Sequence, residues 1–379
     1  MTRRTRKASP LHTASDVEAR SGEETTEIPV RRGRGARINP PNRFEPLCLE
    51  EDPAALDEDE LRQVPTKYYV DATKTLLARN DSPDIGFTFS LNPYRGCEHG
   101  CIYCYARPSH EYLGFSAGLD FETRILVKER APELLAETFQ KRSWAPQVVA
   151  LSGNTDPYQP LERRLALTRG CLKVFLRHRN PVGIITKNYL VTRDIDLLEQ
   201  MAKYNLVHVI LSITTLRPDL VHIMEPRTSR PERRLQAIKM LAARNIPVSV
   251  NVAPIIPGLT DEEMPSILKA AASRGASGAG YTILRLPGAV EDLFIDWVRR
   301  EFPDRANKIV RRLASLRGGN LTDNRFGKRM RGEGDWADLI ARLFRIERKR
   351  WGLDVPRRSL STRHFRRLAD GQRSLFDTE

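Results

Sequence analysis

Apolar positions along this chain follow two alternating periods. Short apolar runs recur between stretches in which apolar residues return every third or fourth position. The runs read as buried strands and the stretches as helices that cover them. Strands are predicted at Ile85–Leu91, Gln147–Leu151, Val182–Thr186, Val207–Thr214, Pro247–Val252 and Ala279–Leu284. Between them, a helix starts near Pro132 with Leu134, Leu135 and Phe139 on one face, and others follow at Glu162–His178, Asp194–Tyr204, Pro231–Arg244 and Asp261–Arg274. Arg124–Lys128 reads as an extra strand in an insertion. Such alternation predicts an α/β fold with a parallel sheet, and six repeats of it predict an open or partial (β/α)6 barrel. Beyond Val290 the period is helical only, over Val290–Phe302, Arg305–Leu316 and Asp335–Trp351, which predicts a cover for one end or side of the barrel.

These patterns divide the chain into four parts. Residues 1–60 lack periodic apolar positions and mix Arg32-Gly33-Arg34-Gly35 with acidic runs such as Asp57-Glu58-Asp59-Glu60, so a disordered N-terminal tail is expected. Residues 61–289 form the barrel core, and 290–355 a C-terminal helical extension. Residues 356–379 read as a flexible basic tail, with Phe365, Leu368 and Phe376 as candidates for docking.

Charge adds a partner to this picture. The 379 residues carry 62 Lys and Arg against 48 Asp and Glu, a formal charge of +14. That balance suits DNA or RNA as a partner, and equally an Arg-rich proteome, because net charge governs association rather than fold. A membrane is not expected. The longest uncharged apolar run, Ile246 to Leu259, contains three prolines and is too short to span a bilayer. The start, Met-Thr-Arg-Arg-Thr-Arg-Lys, leads into no apolar stretch, so a cytoplasmic protein is expected.

The candidate chemistry lies in the cysteines: Cys48, Cys97, Cys101, Cys104 and Cys171. An odd count with three clustered is a poor disulfide framework and a good metal site. The cluster reads Arg95-Gly-Cys97-Glu-His-Gly-Cys101-Ile-Tyr-Cys104-Tyr105, directly after a predicted strand. Thiolates suit iron–sulfur clusters. Three thiolates on a four-iron cubane leave one iron open to an amine and a carboxylate, which the methionine end of S-adenosylmethionine offers. Gly96 and Gly100 let the backbone wrap tightly. The alternative is zinc, closed by a fourth ligand such as His99, His110 or Cys48. Cys48 in the tail and Cys171 on an apolar helix face read as inert.

At these residues the sequence resembles the signature loop of the radical S-adenosylmethionine superfamily. The flanking words Ser90-Leu-Asn-Pro-Tyr-Arg-Gly-Cys97 and Cys104-Tyr105-Ala106 resemble its spore photoproduct lyase-like branch, and the chain as a whole resembles a bacterial group within it. The resemblance covers about residues 65 to 290, and Asn324 to Gly334 resembles that group's C-terminal part. It implies a TIM-like partial barrel, a [4Fe–4S] cluster on Cys97, Cys101 and Cys104, and S-adenosylmethionine. It also implies an external electron donor of flavodoxin or ferredoxin type, and a 5′-deoxyadenosyl radical that abstracts hydrogen from a substrate.

Polar groups at strand ends carry the remaining expectations, since β/α barrels collect chemistry there. After the second strand the superfamily holds the ammonium of S-adenosylmethionine; here the text is Ser152-Gly-Asn-Thr-Asp156, with Thr155 and Asp156 as candidates against a plain Asp-Pro turn. Lys187, after the third strand, suits the methionine carboxylate as a point charge, as a Lys does in the related lyases. Ser212, Thr214 and Thr215 stand within reach of ribose. Asn251 to Asp261 resembles the segment that cradles adenine, with Ile255 and Ile256 against the purine. Arg285 follows the sixth strand and is placed to meet substrate. Tyr105 matches a tyrosine that the lyases use near the radical path; packing against the loop is its bland role. The lyases repair a thymine adduct in DNA and return hydrogen from a cysteine near the Thr-Asp segment. Gly153 and Asn154 occupy that region here, which counts against the same reaction. A small-molecule or peptide substrate stays open, as does a zinc- or cluster-stabilised nucleic-acid-binding protein without catalysis.

Overall fold

The computed structural model describes residues 33–45, 64–355 and 359–368. Cys48 and Phe376 lie outside the described residues, as does most of the expected N-terminal tail.

Ten strands form two sheets among the described residues. In chain order they are β1 (Lys67–Val70), β2 (Leu77–Arg79), β3 (Phe89–Leu91), β4 (Tyr94–Arg95), β5 (Arg124–Val127), β6 (Val149–Leu151), β7 (Val182–Thr186), β8 (Val207–Ser212), β9 (Val248–Ile255) and β10 (Ala279–Ile283). The large sheet runs β10-β9-β8-β7-β6-β3-β2. Its pairs from β3 through β10 are parallel, and β2 joins the edge antiparallel to β3. The sheet stays open, with β2 and β10 at its edges. It is a partial barrel of six parallel strands with one antiparallel addition. The small sheet, β1-β5-β4, flanks the cysteine segment, and β5 is the extra strand expected at Arg124–Lys128.

The six predicted parallel strands are all present, with shifted ends. The first is shorter than Ile85–Leu91, starting at Phe89, while the fifth runs on to Ile255, past Val252. Strand ends shift because pairing with a neighbour, not local apolarity, decides where a ladder stops. The two-residue β4 and the exposed β1 have no buried period to find.

Helices cover the sheet by burying one stripe each. In Ala131–Gln140 the buried face is Ala131, Leu134, Leu135 and Phe139. Phe139 meets Phe175 edge-on at 5.4 Å and Trp144 at 5.4 Å, within the main core. In the C-terminal extension, Val290–Glu301 and Ala306–Ser315 bury Phe294, Trp297, Ile309 and Leu313 in one cluster with Ile102, Tyr103, Met224 and Ile256. The extension thus packs on the cysteine segment and on the strand ends beside it. The helix Asp335–Arg350 instead returns to the main core, where Phe344 lies 4.6 Å from Tyr281 of β10.

Two terminal pieces differ from the expected tails. Residues 33–45 run against the cysteine segment, with Gly35 and Ala36 buried. Residues 359–368 lie along the core, where Phe365 meets Phe139 at 6.2 Å and Leu368 accepts a hydrogen bond from Gln140. Neither piece has a period, because each is held by individual hydrogen bonds and single anchors, which leave no repeating signal.

The stretch 324–334 bridges the open side of the sheet. The Ile283 amide at the end of β10 donates to Met330 O at 3.0 Å. At the other edge, Gly327 N donates to Asp84 Oδ1 at 2.6 Å and Arg329 pairs with Asp84 Oδ2 at 2.5 Å, in the loop between β2 and β3.

Phe139 is fully buried among the rings of Trp144, Phe175, His178 and Phe365. Phe139→Ala should destabilise the chain by about 3–5 kcal/mol. Chemical denaturation measures this; a loss below about 1 kcal/mol would show that the ring does not organise this face of the core.

Candidate active site

The cysteine segment leaves β4 and turns at once. Gly96 and Gly100 have φ of +79° and +66°, a region that L side chains rarely adopt. A Cβ on Gly100 would stand 2.8 Å from Glu122 Oε2 and 3.3 Å from the Gly35 amide. The loop is then tied from several directions. Cys97 N donates to Phe121 O at 2.9 Å, Ile102 N to Met224 O at 3.1 Å, and Arg227 N to His99 O at 3.2 Å. Gln159 clasps the backbone twice: its Oε1 accepts from Glu98 N at 2.9 Å and its Nε2 donates to Gly96 O at 3.2 Å.

A fully buried ion pair adds a further tie. Arg107 and Glu122 meet at 2.5 Å with neither side chain exposed. The guanidinium also donates to Cys101 O at 2.8 and 3.0 Å and to the carbonyls of Ala117 and Gly118. Glu122 accepts the amides of Gly35 and Ala36 at 3.0 and 2.8 Å, which fixes the 33–38 strap over the loop. A Cβ on Gly35 would lie 1.8 Å from Gly100 O, so the close approach needs glycine there.

A second buried pair braces the far side. Glu225 and Arg234 are both without exposure and form an ion pair, while Tyr103 and Thr214 donate to the same carboxylate. His99 is buried beside them, and desolvation holds its pKa down, to about 4, so the ring is neutral. Asn188 Nδ2 lies 3.0 Å from His99 Nε2, and Asn188 Oδ1 accepts from Leu190 N and Ser229. The amide therefore donates to Nε2, which leaves the Nδ1 hydrogen toward Asp156 Oδ2 at 3.5 Å.

Cys97, Cys101 and Cys104 are unpaired thiols on this braced loop. Burial pushes each thiol above its ordinary value. Holding three thiolates in so desolvated a place requires cationic charge among them, which an iron–sulfur cluster brings. Among the described residues no three His, Cys, Asp or Glu side chains converge as a single metal ion demands. A cubane asks for less convergence, because each thiolate takes a different iron. Three clustered cysteines are a donor set that a cubane takes.

The other predicted residues divide. Lys187 faces the loop: its Nζ is 5.8 Å from the Tyr103 ring, and its charge acts on Cys101 and Cys104. Tyr105 stands half exposed, donating to Gly153 O at 2.5 Å, with the Arg285 guanidinium 5.6 Å from its ring. Thr155 and Asp156 are beside the loop but engaged within the protein. The Thr155 hydroxyl donates to Tyr94 O. The Asp156 carboxylate accepts from Tyr158 N, Thr186 Oγ1 and Lys187 N, so its part is to tie the ends of β6 and β7 together. Ser212 is buried, and its carbonyl accepts from Arg234. Ile255 belongs to the main core, in register with Ile283 of β10. Ile256 is the residue of that pair that packs in the cluster with Cys101 and Ile102.

Sequence reasoning missed His99 as a brace, the Arg107–Glu122 pair and the 33–38 strap. An Arg three residues after the last loop cysteine and the small pair Gly35-Ala36 were the available signals.

Comparison with known proteins agrees with this geometry. Residues 91–271 match the radical SAM superfamily. An uncharacterized protein of Mycobacterium tuberculosis is 38% identical over 220 residues, covering 58% of this chain and 65% of the relative. One of Methanocaldococcus jannaschii is 32% identical over 178 residues, covering 47% of this chain and 64% of the relative. The chain thus spans just under two thirds of the length of these relatives. Among solved structures, a point mutant of spore photoproduct lyase aligns with TM-score 0.52 and 16% identity over 76% of this chain and 79% of that one. Spore photoproduct lyase complexed with dinucleoside spore photoproduct aligns with TM-score 0.51 and 15% identity over 76% and 80%. At such identity the likeness speaks for the fold alone. A radical SAM domain works with a [4Fe–4S] cluster and S-adenosylmethionine, and the three loop cysteines, the open parallel sheet and the matched span together show that this chain carries one, over residues 91–271.

Proposed function

We propose that this chain is a radical SAM enzyme that holds its cluster on Cys97, Cys101 and Cys104. The observation that supports this is the loop itself: three unpaired thiols on a glycine-hinged turn, braced on two sides by buried ion pairs, beside the ends of parallel strands. When bound, the cluster supplies the electron that splits S-adenosylmethionine into methionine and a 5′-deoxyadenosyl radical, which takes hydrogen from a substrate carbon. The chain's own residues supply position. Lys187 offers a positive charge at the strand mouth for the methionine carboxylate. Asp156 holds the Lys187 backbone at 2.7 Å and so sets where that charge stands. Tyr105, between Gly153 O and Arg285, borders the space in which substrate would meet the radical.

For the substrate class we propose nucleic acid. A formal charge of +14 favours a polyanion. The lyase of similar fold was solved with a dinucleoside photoproduct, though fold likeness alone does not carry a reaction. A reaction other than that lyase's is favoured by the cysteines: Cys171 is buried in the main core, and the loop thiols are proposed ligands, so among the described residues none is left to return hydrogen at the mouth.

Anaerobic, reconstituted protein given dithionite and S-adenosylmethionine should release 5′-deoxyadenosine. Absence of the product from protein loaded with iron and sulfide would end the radical reading. Cys101→Ala should abolish both cluster loading and turnover; unchanged iron content and turnover would remove that thiol from the ligand set. Lys187→Ala should weaken S-adenosylmethionine binding about tenfold, the loss of one charge-assisted contact. Titration of the loaded protein reads it, and an unchanged Kd would return Lys187 to the solvated loop.

A further inference from the structure

A second approach to the cysteine loop is built by none of the strands of the large sheet. Gly33, Arg34, Thr66, Tyr68, Glu98 and Arg227 line a cavity of about 360 Å³. Glu98, directly after Cys97, is 1% exposed. Its Oε1 accepts from Thr66 and Tyr68 at 3.2 Å each and from Arg227 at 3.0 Å. Its Oε2 is buried without a partner among the described residues, an acceptor left free in the cavity wall. Arg34 is fixed by the carbonyls of Glu122 and Val64 and by the Thr66 hydroxyl. Two guanidinium groups against one carboxylate leave the cavity wall positive.

The rim extends that charge and adds apolar area. Among the described residues strand β1 is one edge of the small sheet, and all four of its residues are exposed. Tyr68, Tyr69 and Val70 are 43%, 37% and 68% exposed. The Arg164 guanidinium lies 5.1 Å from the Tyr68 ring. Arg164 and Lys67 are exposed and make no ion pair among the described residues. Exposed tyrosines ringed by uncompensated cations are the composition of a protein-binding surface for an acidic partner. The face is also linked to the cluster loop: the Tyr68 hydroxyl touches the carboxylate of the residue bonded to Cys97.

We propose that the β1 edge, with the cavity beside it, docks the acidic redox protein that delivers the electron. This deepens the reading above, since a radical SAM domain needs an external donor. In the transfer the donor loses one electron and the cluster gains it, with no bond made or broken. Unpaired cations beside Tyr68, whose hydroxyl reaches the chain neighbour of Cys97, favour a redox partner over nucleic acid, which would ask for a row of phosphate contacts rather than tyrosines at a strand edge.

The test uses a flavodoxin as probe and the charge-reversed variant K67E/R164E, both positions being on the surface. Binding of oxidised flavodoxin to the full chain is measured by titration at low and high salt, and needs no turnover. The wild type should bind, more weakly at high salt, and the variant should bind about tenfold or more weakly. With reduced flavodoxin, 5′-deoxyadenosine formation should fall likewise, while formation with saturating dithionite stays within about twofold of wild type. Equal flavodoxin binding by both proteins would overturn the proposal. So would a variant that loses affinity for DNA but keeps it for flavodoxin, which would make the face a nucleic-acid surface. Failure of the wild type to cleave S-adenosylmethionine with dithionite would sink the enzymatic reading instead, a result that the binding measurement keeps separate.

Discussion

The arrangement of the whole site depends on one desolvated ion pair, Arg107 with Glu122. A guanidinium and a carboxylate without exposure are costly to bury, and removing either alone costs about 3–5 kcal/mol. Here the cost is offset because both groups are saturated. The Arg107 fork takes Cys101 O and two further carbonyls, and Glu122 takes two amides of the strap. The pair therefore fixes a loop that has almost no regular structure of its own. Three thiols on flexible backbone would not hold a cluster at one place; three thiols on a loop locked through Cys101 O can.

The open sheet gives that loop its setting. Because the strands stop at β2 and β10 without closing, the mouth would be wide on one side. The stretch 324–334 spans that side through Met330 and Asp84, and the helices from Val290 onward pack against Ile102 and Tyr103. The C-terminal extension is thus joined to the chemistry rather than appended to it. Arg285 and Tyr105 meet where it does so.

Much of this was legible in the sequence, and what was not has physical reasons. The parallel strands announce themselves because strands buried on both faces are apolar throughout, as Val149–Leu151 is. The cysteine loop is legible from spacing alone. The strap at Gly35-Ala36 is not, since it is held by two amides on a distant carboxylate, a relation with no local period. A place just after a strand suggests that Thr155 and Asp156 face a ligand; what position alone does not tell is that their polar atoms also tie strand ends together. Ile255 and Ile256 are adjacent and equally apolar, so only the extra length of β9 decides which of them turns toward the loop.

Three loop thiols on a four-iron cubane would leave one iron open to S-adenosylmethionine. Electron paramagnetic resonance of the reduced, anaerobic protein tests it most directly, with and without S-adenosylmethionine. The expected result is a reduced [4Fe–4S] signal that shifts when S-adenosylmethionine is added. A signal unmoved by saturating S-adenosylmethionine, or protein that takes up zinc and no iron, would contradict it.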